Sequence, residues 1–220
     1  LPLSIIGARL YYILFDLPQY LADPIQIFNI RSGGLAIYGG LIAGAITLYF
    51  FTKYHFISLW TFLDIAAPSV LLAQAIGRWG NFMNHEAYGP DTTRSFLESL
   101  HLPQFIIDNM YIEGIYRQPT FLYESLWSLI GFILLLFLRK KPHLLKKGEV
   151  LLCYLMWYSF GRFFIEGLRT DSLYFLGVIR ISQLLSAVLF VGTLILFIWR
   201  RKKGNLPDYD RSLGKNQQII

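Results

Sequence analysis

Apolar residues come in six runs along this chain, at about 1–15, 34–52, 57–79, 118–138, 149–168 and 178–199, and the polar residues gather between them. A spanning helix needs about 20 mostly apolar residues, so five of the runs are long enough to cross a bilayer and the first is incomplete. The pattern predicts an all-α polytopic membrane protein with about six helices. The stretch 80–117 is rich in Pro, Asn, Tyr and acidic residues and too polar to span. It predicts a small extracytoplasmic head at about 81–117, carried on a helical body that covers 1–203. The remainder, 204–220, is polar and is expected to be a cytoplasmic tail with a disordered end.

Charge orients the body. Cations collect after alternate runs, in TKYHF from Thr52, RKKPHLLKKGE from Arg139 and RRKKGNLPDYDRSLGK from Arg200. The other loops hold Asp16, Asp23, Asp91, Glu98, Asp108, Glu113 and Asp171 with few cations. Because positive loops stay inside, the three cationic connections and the C-terminus are expected in the cytoplasm and the acidic loops outside. Composition agrees with a membrane protein: 55% of the 220 residues are hydrophobic, only 15% are charged, and mean hydropathy is +0.45. A soluble domain carries about 25% charge. The net charge of +6 follows the loop pattern and gives no sign of nucleic-acid binding.

One cysteine, Cys153, sits inside an apolar run. It excludes an intrachain disulfide and a CxxC site, and a buried inert thiol is its ordinary reading. No signal peptide is visible. The chain opens on Leu1 and is apolar from its start, which suggests that it begins inside or just before a helix with a segment upstream.

Ionisable residues within the runs are the informative ones, since each costs about 2.5–3.5 kcal/mol at a helix centre. They include Asp64, Arg78, Glu124, Arg162 and Glu166. In GRFFIEGLR, Arg162, Glu166 and Arg169 stand at i, i+4 and i+7, which places all three on one helix face. Either they form an ion pair that neutralises itself, or the surplus arginine makes an anion site. Arg78 ends its run one turn below Asn81, with Asn84 and Glu86 beyond. An arginine at that depth can snorkel to lipid phosphates. Snorkelling leaves the amides unexplained, whereas an arginine among Asn side chains, with Gly80 and Gly89 allowing close backbone approach, suits phosphate recognition. Glu124 and Asp64 read as structural partners of cations.

Five glycines crowd IRSGGLAIYGGLIAG from Ile30, and close helix packing through small residues accounts for them. Tyr38 in their midst is open to two readings, a polar contact or an interfacial anchor. By the charge pattern, Arg78, Arg162 and Arg169 lie in the outer half of their spans, on two helices, where a cationic cavity would suit an anionic lipid head group. A transport path would instead set polar residues through the full depth. A CDP-alcohol phosphotransferase would need paired aspartates in a D-x-x-D-G arrangement, and this sequence has none.

The stretch GRWGNFMNHEAYG, Gly77 to Gly89, resembles the diagnostic motif G-R-x-G-N-F-x-N-x-E-x-x-G of the phosphatidylglycerol:prolipoprotein diacylglyceryl transferases. GARLYYILF from Gly7, GGLAIYGGLIAG from Gly33, QPTFLYES from Gln118, GRFFIEGLRTDS from Gly161 and RISQLLS from Arg180 match further family segments in the family's order. The resemblance implies a multi-pass enzyme of the bacterial cytoplasmic membrane with seven helices in full, of which this chain lacks the first and part of the second. It implies an active site toward the outer leaflet and a cytoplasmic C-terminus. The reaction implied moves the diacylglyceryl group of phosphatidylglycerol to the lipobox cysteine thiol of a prolipoprotein signal peptide, forming a thioether and releasing glycerol 1-phosphate, with no metal or cofactor.

Carried onto this sequence, the family motifs imply Arg78 as the phosphate contact and Arg162, oriented by Glu166, as a second. Asn81, Asn84, Glu86, Gly89 and Arg169 would complete the substrate site. Members often carry a histidine in G-G-x-x-x-H-G-G, where this chain has Tyr38. A tyrosine, with its pKa of about 10, is a poor base, so Tyr38 is expected to position substrate or assist, and the base is not assigned.

Overall fold

The computed structural model describes residues 2–29, 33–170, 174–175 and 179–209, and the chain divides into two compact units, 1–62 and 63–220. Asp171 and the tail beyond Tyr209 lie outside the described residues.

The first unit contains α1 (Pro2–Phe15), α2 (Leu17–Ala22), a 3-10 turn at Pro24–Phe28, α3 (Ile37–Tyr54) and the start of α4 (Leu59–Met83). α1 packs on α3 through glycine, because a Cβ on Gly7 would stand 2.8 Å from the Gly39 carbonyl oxygen and collide with the Ala43 side chain. Arg9, buried on α1, donates to the carbonyls of Ile27 (3.0 Å), Gly33 (2.9 Å), Gly34 (2.9 Å) and Asn29 (3.1 Å), and also to Gln26. A single side chain thus satisfies the backbone of the connection between the 3-10 turn and α3, work for which a five-donor guanidinium is suited.

The second unit holds the rest of α4, a head, and the helices α7 (Thr120–Lys140), α8 (Glu149–Glu166) and α9 (Ile181–Lys202). The head at 81–117 is a compact fold of α5 (Arg94–Ser99) and α6 (Gln104–Asn109) with three short strands, β1 (Asp91–Thr92), β2 (Tyr111–Ile112) and β3 (Ile115–Arg117). The strands pair antiparallel in the order β1-β3-β2, with Asp91 opposite Arg117 and Tyr111 opposite Tyr116. Leu97, Ile106, Ile107 and Met110 form its core with Phe82 at the end of α4 and Phe121 at the start of α7. The Phe82 and Phe121 rings stack at 4.5 Å, so the head is seated on the two helix ends that lead into and out of it. A further pair, β4 (Tyr174–Phe175) and β5 (Ile179–Arg180), lies between α8 and α9.

The six expected runs all appear as helices. α4, α7 and α9 are long and apolar enough to cross a membrane. α3 and α8 are 18 residues each, α8 carrying Glu149, Arg162 and Glu166, and α1 is a shorter apolar helix.

α7 and α8 are locked by a reciprocal tryptophan pair. Trp127 Nε1 donates to the Trp157 carbonyl and Trp157 Nε1 to the Trp127 carbonyl, each at 3.0 Å, and the rings stack at 4.1 Å. The arrangement requires Gly131 opposite Trp157 and Gly161 opposite Trp127, since a Cβ at either would enter the facing ring.

At the other end of this unit, buried carboxylates tie the helices together. Asp64 on α4 accepts from the backbone N–H groups of Gly148 (2.5 Å) and Leu151 (2.9 Å), capping α8 from a neighbouring helix. Glu149 takes both arms of Arg201 on α9, each at 2.8 Å. The tail returns over this end: Tyr209 is buried, and its N–H donates to Leu145 O at 2.8 Å. Burial pushes the Tyr209 hydroxyl up from its ordinary value.

Candidate active site

Three helix ends bring the charged residues together. α4 presents Arg78 and Asn81 on successive turns, α7 presents Glu124 in its second turn, and α8 presents Arg162 and Glu166 in its last turns. Ser125 Oγ donates to Ala75 O at 2.9 Å, which holds the start of α7 against α4, while the tryptophan pair holds α7 against α8.

Glu124 is the bridge. Its Oε2 lies 2.7 Å from Arg78 Nε and its Oε1 lies 3.1 Å from Arg162 Nη1. Arg162 Nη2 in turn lies 2.6 Å from Glu166 Oε2, and Arg78 Nη1 donates to Asn81 Oδ1 at 3.3 Å. The side chains of Glu124 and Glu166 are only 8% and 3% exposed, and those of Arg78 and Arg162 are 23% and 16% exposed. The guanidinia thus reach further toward solvent than the carboxylates that fix them. These bonds leave Arg78 Nη2 and Arg162 Nε to donate elsewhere. The two arginines, with Gln74, Glu124, Ser128 and Tyr158, line one narrow cleft.

The loop after α4 adjoins the Arg78 end of the cleft through Asn81. Glu86 Oε1 accepts from Asn81 Nδ2 (2.9 Å) and Asn84 Nδ2 (3.3 Å), so both motif asparagines are oriented by the motif glutamate. His85 and Ala87, on either side of Glu86, have positive φ of 52° and 59°. Such left-handed non-glycine residues persist only where the surroundings hold them. Here the hold comes from Thr120 Oγ1 donating to Ala87 O at 2.6 Å and from Gly89 N donating to Gln118 O at 3.0 Å. Gly89 is small because Gln118 and Thr120 pack over it, each within 2.9 Å of where a Cβ would stand.

One expectation changes. Arg162, Glu166 and Arg169 do not share one helix face: α8 ends at Glu166, and Arg169 lies past the turn at Gly167, with its N–H donating to Glu166 O at 3.2 Å. The i+7 projection presumed a helix that continues through Gly167. The arginine that joins Arg162 is Arg78 of α4, and the carboxylates of Glu124 and Glu166 lie against the two guanidinia.

Glu124 pairs with cations as expected of a structural partner, yet it stands at the centre of the site. Asp64 is a cap far from it in the fold. Arg180 also acts here, donating to the backbone carbonyl of Glu166, as Gln183 Nε2 does to Phe163 O at 3.0 Å. Both hold the end of α8. Tyr38 is in the first turn of α3, 64% exposed, and belongs to the first unit.

The comparisons with known proteins bear on what this arrangement does. The family model described as prolipoprotein diacylglyceryl transferase matches residues 1–199. A protein of Enterococcus faecalis named phosphatidylglycerol--prolipoprotein diacylglyceryl transferase is 66% identical over 217 residues, covering 99% of this chain and 78% of its own length. Proteins of the same name from Pediococcus pentosaceus and Bacillus cereus are 55% and 59% identical, over 95% and 92% of this chain and 76% and 74% of their own lengths. The chain belongs to the prolipoprotein diacylglyceryl transferase family and is a multi-pass membrane transferase.

Proposed function

We propose that this member of the prolipoprotein diacylglyceryl transferase family transfers the diacylglyceryl group of phosphatidylglycerol to the lipobox cysteine thiol of a prolipoprotein, with Arg78 and Arg162 as the phosphate grip. The observation that carries this reading is the pairing of two guanidinia on one buried carboxylate, Glu124, at the mouth of a cleft.

The chemistry asks for such a grip. The substrate thiol gives up its proton as its sulfur forms a bond to the glyceryl carbon, and the bond from that carbon to the phosphate oxygen breaks. The electron pair leaves with glycerol 1-phosphate, so negative charge grows on the phosphate and the released proton balances it. Fixed donors aimed at growing charge lower a barrier more than any other single device. Arg78 Nη2 and Arg162 Nε are the guanidinium nitrogens not engaged by Glu124, Asn81 or Glu166. Glu124 and Glu166 hold the guanidinia in place, so the phosphate brings its charge to arginines already oriented.

Asn81, Asn84 and Glu86 form the outer substrate wall, Gly89 closes the loop that carries it, and Arg169 follows α8 as a further cation for the lipid. Tyr38 is assigned a substrate-positioning hydroxyl on the family resemblance alone. The nucleophile belongs to the peptide, and Cys153 takes no part. By the loop charges, the head and the cleft face the outer leaflet of the bacterial cytoplasmic membrane and the C-terminus faces the cytoplasm.

The test uses the full-length protein in detergent with phosphatidylglycerol and a lipobox peptide. Transfer of the diacylglyceryl group should occur to a peptide with cysteine, fail with serine in its place, and survive Cys153→Ala. No transfer by folded wild-type protein would overturn the reading.

A further inference from the structure

One polar group in the cleft is not used by the phosphate grip. Gln74 lies on α4 one turn before Arg78 and lines the same cleft as Arg78, Glu124 and Arg162. Its Nε2 donates to Tyr154 Oη at 3.1 Å, which fixes the amide plane from α8. Its Oε1 is buried and accepts no hydrogen bond from the described residues.

Buried amide oxygens are almost always paired, and one left without a donor is costly. The neighbouring arginines are held by Glu124, Glu166 and Asn81 and none of them donates to Gln74, so its oxygen is an acceptor still open to a substrate donor. Of the two substrates, the lipid supplies such a donor next to the phosphate: the head-group glycerol of phosphatidylglycerol carries two hydroxyls, a few bonds from the phosphorus. Gln74 stands one turn of α4 from Arg78, about 5.4 Å along the axis, so groups a few bonds from a phosphate held by Arg78 come within its reach.

We propose that Gln74 Oε1 accepts a hydrogen bond from a head-group hydroxyl of phosphatidylglycerol, which makes Gln74 a specificity-determining residue for the lipid head group. The inference rests on the reading of the site given above. A pocket that hydrogen-bonds a substrate hydroxyl rejects an analogue lacking it more strongly than an apolar pocket rejects a changed chain, because the analogue leaves the buried acceptor unpaired. Tyr154 serves as a positioning residue: its hydroxyl oxygen accepts from Nε2, which leaves Oε1 as the open acceptor of the amide.

The experiment compares two lipids with the same acyl chains, phosphatidylglycerol and phosphatidylpropanol, whose head group has the same carbon count and no hydroxyl. The full-length enzyme transfers the diacylglyceryl group of each to a lipobox peptide, and the lipidated peptide is the product measured for both. Wild type should favour phosphatidylglycerol in kcat/KM by roughly tenfold or more. Gln74→Met, which keeps the length and removes the acceptor, should bring that ratio close to one while transfer from phosphatidylpropanol continues. Gln74→Glu, which keeps an acceptor oxygen, should retain a preference for phosphatidylglycerol.

Equal use of the two lipids by wild type overturns the proposal without any variant. A preference that persists in Gln74→Met overturns it as well, as does an equal loss on both lipids in a variant that melts at the wild-type temperature. Each of these outcomes leaves transfer itself intact in wild type. Failure of the site reading would show instead as no transfer from either lipid.

Discussion

Arg78 and Arg162, from two different helices, meet on the two oxygens of Glu124 at 2.7 and 3.1 Å, and the shared carboxylate sets the spacing of the two guanidinia. Glu124→Gln removes the charge that both arginines answer to, leaving them to repel each other in a partly buried site. A misplacement of about 1 Å at a reacting centre costs on the order of 100-fold. We expect kcat/KM to fall by about that factor. Glu124→Asp, too short to reach both partners, should fall nearly as far. Rates from purified variants, with thermal melts as a folding control, check this, and near-wild-type activity in Glu124→Gln would show that the arginines hold their places without it.

The tryptophan pair predicts a second outcome. In Gly161→Ala the new methyl enters the Trp127 ring, one residue from Arg162. Overpacking of this kind costs about 1–3 kcal/mol, so the melting temperature should drop and activity with it. Gly131→Ala, which meets Trp157 in the same way further from the charges, should lower stability with a smaller effect on turnover. Adding Trp127→Phe to Gly161→Ala should recover part of the loss, and no recovery would mean that the ring contact is not the cause.

Most of the helical plan could be read in the sequence, and so could the local part of the site. The runs of apolar residues become helices within a few positions of where they were placed. Arg78, Asn81, Asn84 and Glu86 lie within nine residues of one another, so their mutual contacts follow from a helix end and a short loop. Glu124 is different. Its role depends on two partners 46 and 38 positions away, distances that no helical spacing encodes. Arg169 was misplaced because residue spacing gives a face only while the helix lasts, and α8 stops at Glu166. The head strands, two or three residues each, are too short for an alternating pattern to show. The role of Arg9 is not legible in the sequence, since its five acceptors are backbone carbonyls and leave no mark in the side-chain pattern.

That last residue carries its own prediction. Lysine in place of Arg9 keeps the charge but has three donors on one nitrogen, which cannot span carbonyls from Gln26 to Gly34. Arg9→Lys should therefore leave several of these backbone carbonyls without their donor, at about 0.5–1.5 kcal/mol for each. Limited proteolysis should show faster cleavage between residues 24 and 34 than in wild type, and unchanged protection would contradict the role given to Arg9.

Asp64→Asn tests the distant cap. The amide keeps one acceptor oxygen but turns an N–H group toward a backbone N–H, so one of the two bonds to Gly148 and Leu151 is lost. Stability should fall by about 1–3 kcal/mol. Turnover per folded molecule should not change, because Asp64 is not among the residues of the cleft. A turnover defect in well-folded Asp64→Asn would place Asp64 in the chemistry.

The most direct measurement is thiol-dependent release of glycerol phosphate from phosphatidylglycerol, at saturating lipid and peptide, by wild type and Arg78→Ala with matching melting temperatures. Loss of one donor to the growing phosphate charge should lower kcat by about 100- to 1,000-fold. A kcat for Arg78→Ala within about threefold of wild type would contradict the phosphate grip, since a donor to the leaving group contributes far more than that.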